Sequence, residues 1–76
     1  MNKDMETEKV KQLIEVGLEG STAEVTGDGR HFEAVVTYAG FAGKTIIQQH
    51  RMVMDTVKAE VESEELHALS IKTKAG

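Results

Sequence analysis

The sequence predicts a small α+β domain: a three-stranded mixed sheet with helices on one face. Three observations carry that prediction. Two-residue alternation runs from His31 to Tyr38. A glycine-rich turn stands directly before it. A long apolar stripe at helical spacing separates that segment from the last apolar stretch.

Residues 1–5 are polar and are expected to be frayed. From Glu6 to Leu18, the residues Val10, Leu13, Ile14 and Leu18 recur at helical spacing between charged positions. Gly17 and Gly20 stand near the expected helix end, where a left-handed cap suits glycine. Thr22 to Thr26 reads as a short strand and GDG, Gly27 to Gly29, as the turn of a hairpin. In the next strand Phe32, Ala34, Val36 and Tyr38 share one face, and His31, Glu33, Val35 and Thr37 the other. AGFAG, Ala39 to Gly43, interrupts the pattern and has room for a short helical turn. A long helix is expected from about Lys44 to Glu62. Its stripe is Ile46, His50, Val53, Val57 and Val61, widened by Ile47 and Met54. Ser63 to Glu65 reads as a turn, Leu66 to Thr73 as the third strand, and residues 74–76 as a flexible tail.

The order is α-β-β-α-β, one domain spanning residues 1–76. A strand-helix-strand crossover of this length gives parallel strands with a right-handed connection. His31 begins the second strand and His67 the third. If these strands are parallel neighbours, about 5 Å separates their backbones, and two imidazoles can converge on one metal or cluster. Parity leaves the face of His67 open. It shares parity with Leu69 and Ile71, whereas His31 opposes Phe32; the alternative puts small Ala68 and Ser70 beneath the helices. Each histidine also has a plainer reading, as a solvated or backbone-bonded residue. His50 is expected to pack at the boundary of the helix stripe.

Composition bounds the function. A chain of 76 residues buries roughly 60% of its unfolded surface, which leaves little room for an enclosed active site. With no cysteine it can form neither a disulfide nor a thiolate metal site of its own. A net charge of −4 opposes general polyanion binding. No apolar run approaches the ~20 residues that span a bilayer, and MNKDMETEKV lacks a secretory apolar core. A cytoplasmic location is expected. Asp28, His31 and Glu33 cluster in sequence, but no serine or cysteine nucleophile stands beside a base. Glu62, Glu64 and Glu65 read as a solvated acidic cluster. No enzymatic activity is therefore expected.

GDGRHFE, the turn FAGK, then QQHRMV and finally LHALSIKT resemble the BolA family, and within it the short bacterial IbaG-like members. The resemblance runs from about Val10 to Thr73. It implies an α-β-β-α-α-β arrangement similar to a type II KH domain, with a short helix near Tyr38–Ala42. It also implies partnership with monothiol glutaredoxins around a [2Fe–2S] cluster. By that likeness His67 is a metal ligand and His31 the candidate second one. The remaining ligands come from a glutaredoxin cysteine and glutathione, so the isolated chain is expected to hold no cluster. The implied role is an adaptor or regulator in iron–sulfur trafficking and iron homeostasis.

Two departures accompany the likeness. KTKAG stands where relatives often continue with a tyrosine-threonine-proline segment and an acidic-aromatic tail. Gln49 stands where they often carry an arginine. A partner surface built from those elements is expected to be reduced.

The KH likeness also suggests an alternative: a nucleic-acid-binding transcriptional regulator with DNA or RNA as partner. Gly40-Phe41-Ala42-Gly43 spells GxxG, followed by Lys44, and Arg51, Lys58, Lys72 and Lys74 could add a basic strip. Thirteen acidic residues oppose that strip. Alone, the chain is expected to be a monomer or a weak homodimer, with Met52, Met54 and Phe41 extending an apolar surface.

Overall fold

A computed structural model describes residues 6–28, 31–63, 66 and 68–76. Helix α1 (Thr7–Gly17) leads into strands β1 (Thr22–Gly27) and β2 (His31–Thr37). A 3-10 turn (Ala39–Phe41) follows, then helices α2 (Ile46–Thr56) and α3 (Lys58–Glu62) and strand β3 (Ala68–Lys74). The sheet order is β1-β2-β3, with β1 antiparallel and β3 parallel to β2. The mixed sheet and parallel crossover follow the expectation. The short helix near Tyr38–Ala42 is a single 3-10 turn.

Alternation in β2 produces the core. Phe32, Ala34 and Val36 are buried, while His31 and Glu33 are exposed on the opposite face. Leu69, Ile71 and Thr73 of β3 turn toward the core side, and Ala68, Ser70 and Lys72 are exposed. Large apolar residues therefore decide the parity of β3, and the reading with Ala68 and Ser70 beneath the helices is overturned. Val10 and Ile14 of α1, Leu18, Ala23 of β1, Val53 of α2, Val57, Phe41 and Leu66 are buried with them.

The helix expected over 44–62 is two helices. The break falls at Val57 (φ −119°, ψ 17°), whose N–H bonds Met54 O instead of continuing the α pattern. The Thr56 hydroxyl donates to Val53 O at 2.6 Å. Two adjacent β-branched residues and this local bond favour ending the helix there. The break lets Val57 turn fully into the core. Thr45 begins α2 with a reciprocal cap: its hydroxyl accepts from Gln48 N (3.1 Å), and Gln48 Oε1 accepts from Thr45 N (3.0 Å).

Three other expectations change. Gly17 is no left-handed cap; it is helical, and a Cβ there would lie 2.5 Å from Thr56 Cγ2. The glycine permits close approach of α1 and α2, and the left-handed residue is Gly20 (φ 91°). Lys74 belongs to β3 rather than to a tail, and its carbonyl accepts from Tyr38 N at 2.9 Å. Phe41 is fully buried, so it extends no surface. It packs edge to face on Tyr38, with ring centroids 5.2 Å apart at 87°. Among the described residues no helix is long and apolar enough to cross a membrane.

Candidate metal-ligating edge of the sheet

His31 opens β2 at the mouth of the hairpin. Its backbone N–H donates to Asp28 Oδ1 at 2.9 Å, and Asp28 N donates to His31 O at 3.3 Å. This reciprocal turn fixes the backbone on which the imidazole stands. The side chain is 79% exposed, and its Nδ1 lies 4.0 Å from Asp28 Oδ2. The carboxylate thus flanks one ring nitrogen and leaves Nε2 on the far side of the ring.

The parallel register places His31 opposite Ala68 and Phe32 opposite Leu69. The sequence reading required neighbouring parallel strands with their starts at one edge, and that is the observed topology. His67 immediately precedes Ala68 in the chain. His67 itself, and Glu64 and Glu65 of the acidic cluster, lie outside the described residues. Among the described residues no group of three histidine, cysteine, aspartate or glutamate side chains is arranged to hold a metal ion. The described part of this edge therefore presents one accessible imidazole with a carboxylate beside it. One imidazole and one carboxylate are too few donors to enclose a metal ion.

His50 is half-buried on α2 and remote in sequence and element from this edge. The GxxG residues have a structural explanation. Phe41 is a core anchor, and a Cβ at Gly40 would meet the Tyr38 ring at 2.5 Å. Lys44 and Arg51 are exposed and line a groove of about 250 Å³ with Gln48, Met52 and Asp55. Lys72 and Lys74 are exposed on the sheet face away from the helices. The expected basic strip is thus divided between two sides of the molecule.

Two polar clusters escaped the sequence reading. Gln49 Nε2 donates to Lys44 O (2.9 Å) and Phe41 O (3.3 Å), while its Oε1 accepts from the Thr73 hydroxyl. One side chain thus ties the 3-10 turn, α2 and β3 together. On the other side, Glu15 Oε2 accepts from Ala23 N (2.9 Å) and from Lys11 Nζ (2.6 Å), and Lys11 Nζ also donates to Ala23 O (3.0 Å). The backbone bond from Ala23, reinforced by Lys11, holds the Glu15 carboxyl below the ordinary glutamate range. The same contact with Glu15 raises Lys11 above the ordinary lysine value. The only sequence signal for this pair was its i,i+4 spacing.

An open three-stranded sheet, helices on one face and an imidazole at the mouth of the hairpin make up a small α+β domain. Residues 7–76 match the model of the BolA-like protein family, and the chain belongs to that family. It is similar to a solved BolA protein homologue from Coxiella burnetii, 42% identical with a TM-score of 0.84, covering 92% of this chain and 90% of that one. The BolA domain of SufE1 from Arabidopsis thaliana is 28% identical with a TM-score of 0.77, covering 90% and 88%. An uncharacterized protein of Rickettsia prowazekii, RP812, is 29% identical over 69 residues, 87% of this chain and 88% of the relative.

Proposed function

We propose that this protein is an adaptor in iron–sulfur cluster trafficking, contributing imidazole to a [2Fe–2S] cluster shared with a monothiol glutaredoxin. The observation that carries the reading is the register of β2 and β3. It aligns the start of the strand bearing His31 with Ala68, the residue after His67. Membership of the BolA-like family supports His67 as the primary ligand and His31 as the second.

The residues fit such a group in a specific way. A chain without cysteine supplies no thiolate, so the partner's cysteine and glutathione provide those donors. The cluster, when bound, supplies an electron-accepting centre whose charge is less negative, and whose potential is higher, with imidazole in place of thiolate. The role of His31 is to present neutral Nε2 outward. Asp28, beside Nδ1, is placed to orient the ring and favour the proton on the inner nitrogen, as carboxylates do behind metal-bound histidines. Only neutral imidazole donates to metal, so the shared complex weakens in acid. The chain performs no turnover chemistry in this role.

Mixing the protein with a monothiol glutaredoxin carrying its cluster, in the presence of glutathione, tests the proposal. The expected result is a heterodimer by size-exclusion chromatography with a visible spectrum distinct from that of the glutaredoxin alone. An unchanged spectrum and separate elution of the two proteins would refute it.

A further inference from the structure

The sheet keeps one face free of helices, and His31 stands on it. His31 and Glu33 of β2 are exposed on the face opposite Phe32, Ala34 and Val36. The register places Ala68 beside His31, and Thr26 and Ser70 on either side of Glu33. All three of these neighbours are exposed and short. Glu33 follows His31 by two strand positions, about 7 Å along the same face. Its carboxylate therefore stands above a bed of small side chains, at the end of the sheet that carries the imidazole. Among the described residues no cation pairs with it. Lys72 and Lys74 lie beside Val35 and Thr37, farther along the face.

The chemistry of the cluster-sharing site decides what comes to this face. A chain without cysteine leaves the thiolates to another molecule. A metal–imidazole bond is about 2 Å long, so the molecule holding the other donors comes into contact with the surroundings of the His31 ring. That ring projects on the helix-free side, and the helices lie behind the sheet as seen from there. Thiolates and the cluster they hold bring negative charge. Asp28 and Glu33 already place two carboxylates beside His31. Like charges so arranged disfavour association unless the partner offers cations to meet them.

We propose that the thiolate-bearing partner docks on the helix-free face over Thr26, Glu33, Ala68 and Ser70, and that Glu33 meets a cationic side chain of that partner. This rests on the cluster-sharing role and adds to it the face used and the sign of the charge that fits it. Short side chains let the partner's surface approach the strands closely, so its donors reach the imidazole without a change in the sheet. The carboxylate of Glu33, set among neutral side chains, fixes the register of the two surfaces and disfavours partners with an anion at that point.

Cluster-loaded monothiol glutaredoxin, in the presence of glutathione, is titrated with each chain, and binding is read from the visible spectrum and by size-exclusion chromatography. Glu33→Lys and Ser70→Arg, both at exposed positions, should each weaken the complex about tenfold or more, because a cation then opposes the partner's own. Glu33→Gln should flatten the fall of affinity with rising salt. Ile47→Asp, exposed on the helix side, should change affinity by less than about twofold. A heterodimer that keeps native affinity with Glu33→Lys and Ser70→Arg, that tightens with Glu33→Lys, or that is weakened instead by Ile47→Asp would overturn the docking face and leave cluster sharing intact. No heterodimer with the native chain would overturn both.

Discussion

Replacing Gln49 by alanine tests whether one polar side chain couples the 3-10 turn, α2 and β3. Gln49 donates to Phe41 O and Lys44 O and accepts from Thr73 Oγ1. A hydrogen bond contributes about 1 kcal/mol net, and less where water replaces it. The bonds to Phe41 O and Thr73 are half-buried, whereas that to Lys44 O is exposed. The loss comes to about 2–2.5 kcal/mol, offset by roughly 0.4 kcal/mol from the better helix propensity of alanine. Gln49→Ala should therefore destabilise the protein by about 1.5–2 kcal/mol and lower Tm by roughly 10 °C. Chemical denaturation followed by circular dichroism measures the first quantity and a thermal melt the second. Combining Gln49→Ala with Thr73→Val in a double-mutant cycle isolates the bond between helix and strand, with an expected coupling near 1 kcal/mol. A single-variant cost under about 0.5 kcal/mol, or additive effects within about 0.3 kcal/mol, would refute the reasoning.

Two further substitutions probe the α1 side. Gly17→Ala forces a Cβ to within 2.5 Å of Thr56 Cγ2. Overpacking of about 1–3 kcal/mol should exceed the helix-propensity gain of about 1 kcal/mol. Denaturation in a Thr56→Ala background should show a smaller cost, because Cγ2 is gone while the Cβ of residue 56, 2.8 Å from the new Cβ, remains. Glu15 has a lowered folded-state pKa. Its contribution is thus present above the ordinary glutamate range and lost as pH falls through the depressed value. Glu15→Gln should lower stability at neutral pH and flatten the acid limb of the stability-versus-pH profile. An unchanged acid slope would show that the Ala23 contact does not matter in solution.

The sheet was legible because β2 alternates with Val35 as its one apolar residue on the outer face, and the crossover after it has the length of a parallel connection. The start of β2 at His31, and its exposure, followed from the same alternation and from the turn before it. The α2 stripe was only half legible. Periodicity identifies an apolar face but not which molecule covers it, and so Ile46 and Ile47 read as core although they are exposed. The break at Val57 depends on a local side-chain bond from Thr56, which competes with helical continuation but leaves no mark on the periodic pattern. Gln49 looked like any polar residue of a helix. Its role arises only when Thr73, 24 positions later, lies beside it. Gly17 was assigned a cap from its place near the helix end, whereas a tertiary contact explains it.

The most direct test of the cluster-sharing role is the nitrogen hyperfine spectrum of the reduced, cluster-bearing complex with a monothiol glutaredoxin. Pulsed electron paramagnetic resonance on protein labelled with ¹⁵N-histidine reads ligation independently of complex formation. The account predicts an imidazole coupling in the native complex that is strongly reduced in His67→Ala, less reduced in His31→Ala and lost in the double variant. A native complex without histidine nitrogen coupling, or a coupling that survives in the double variant, would contradict it.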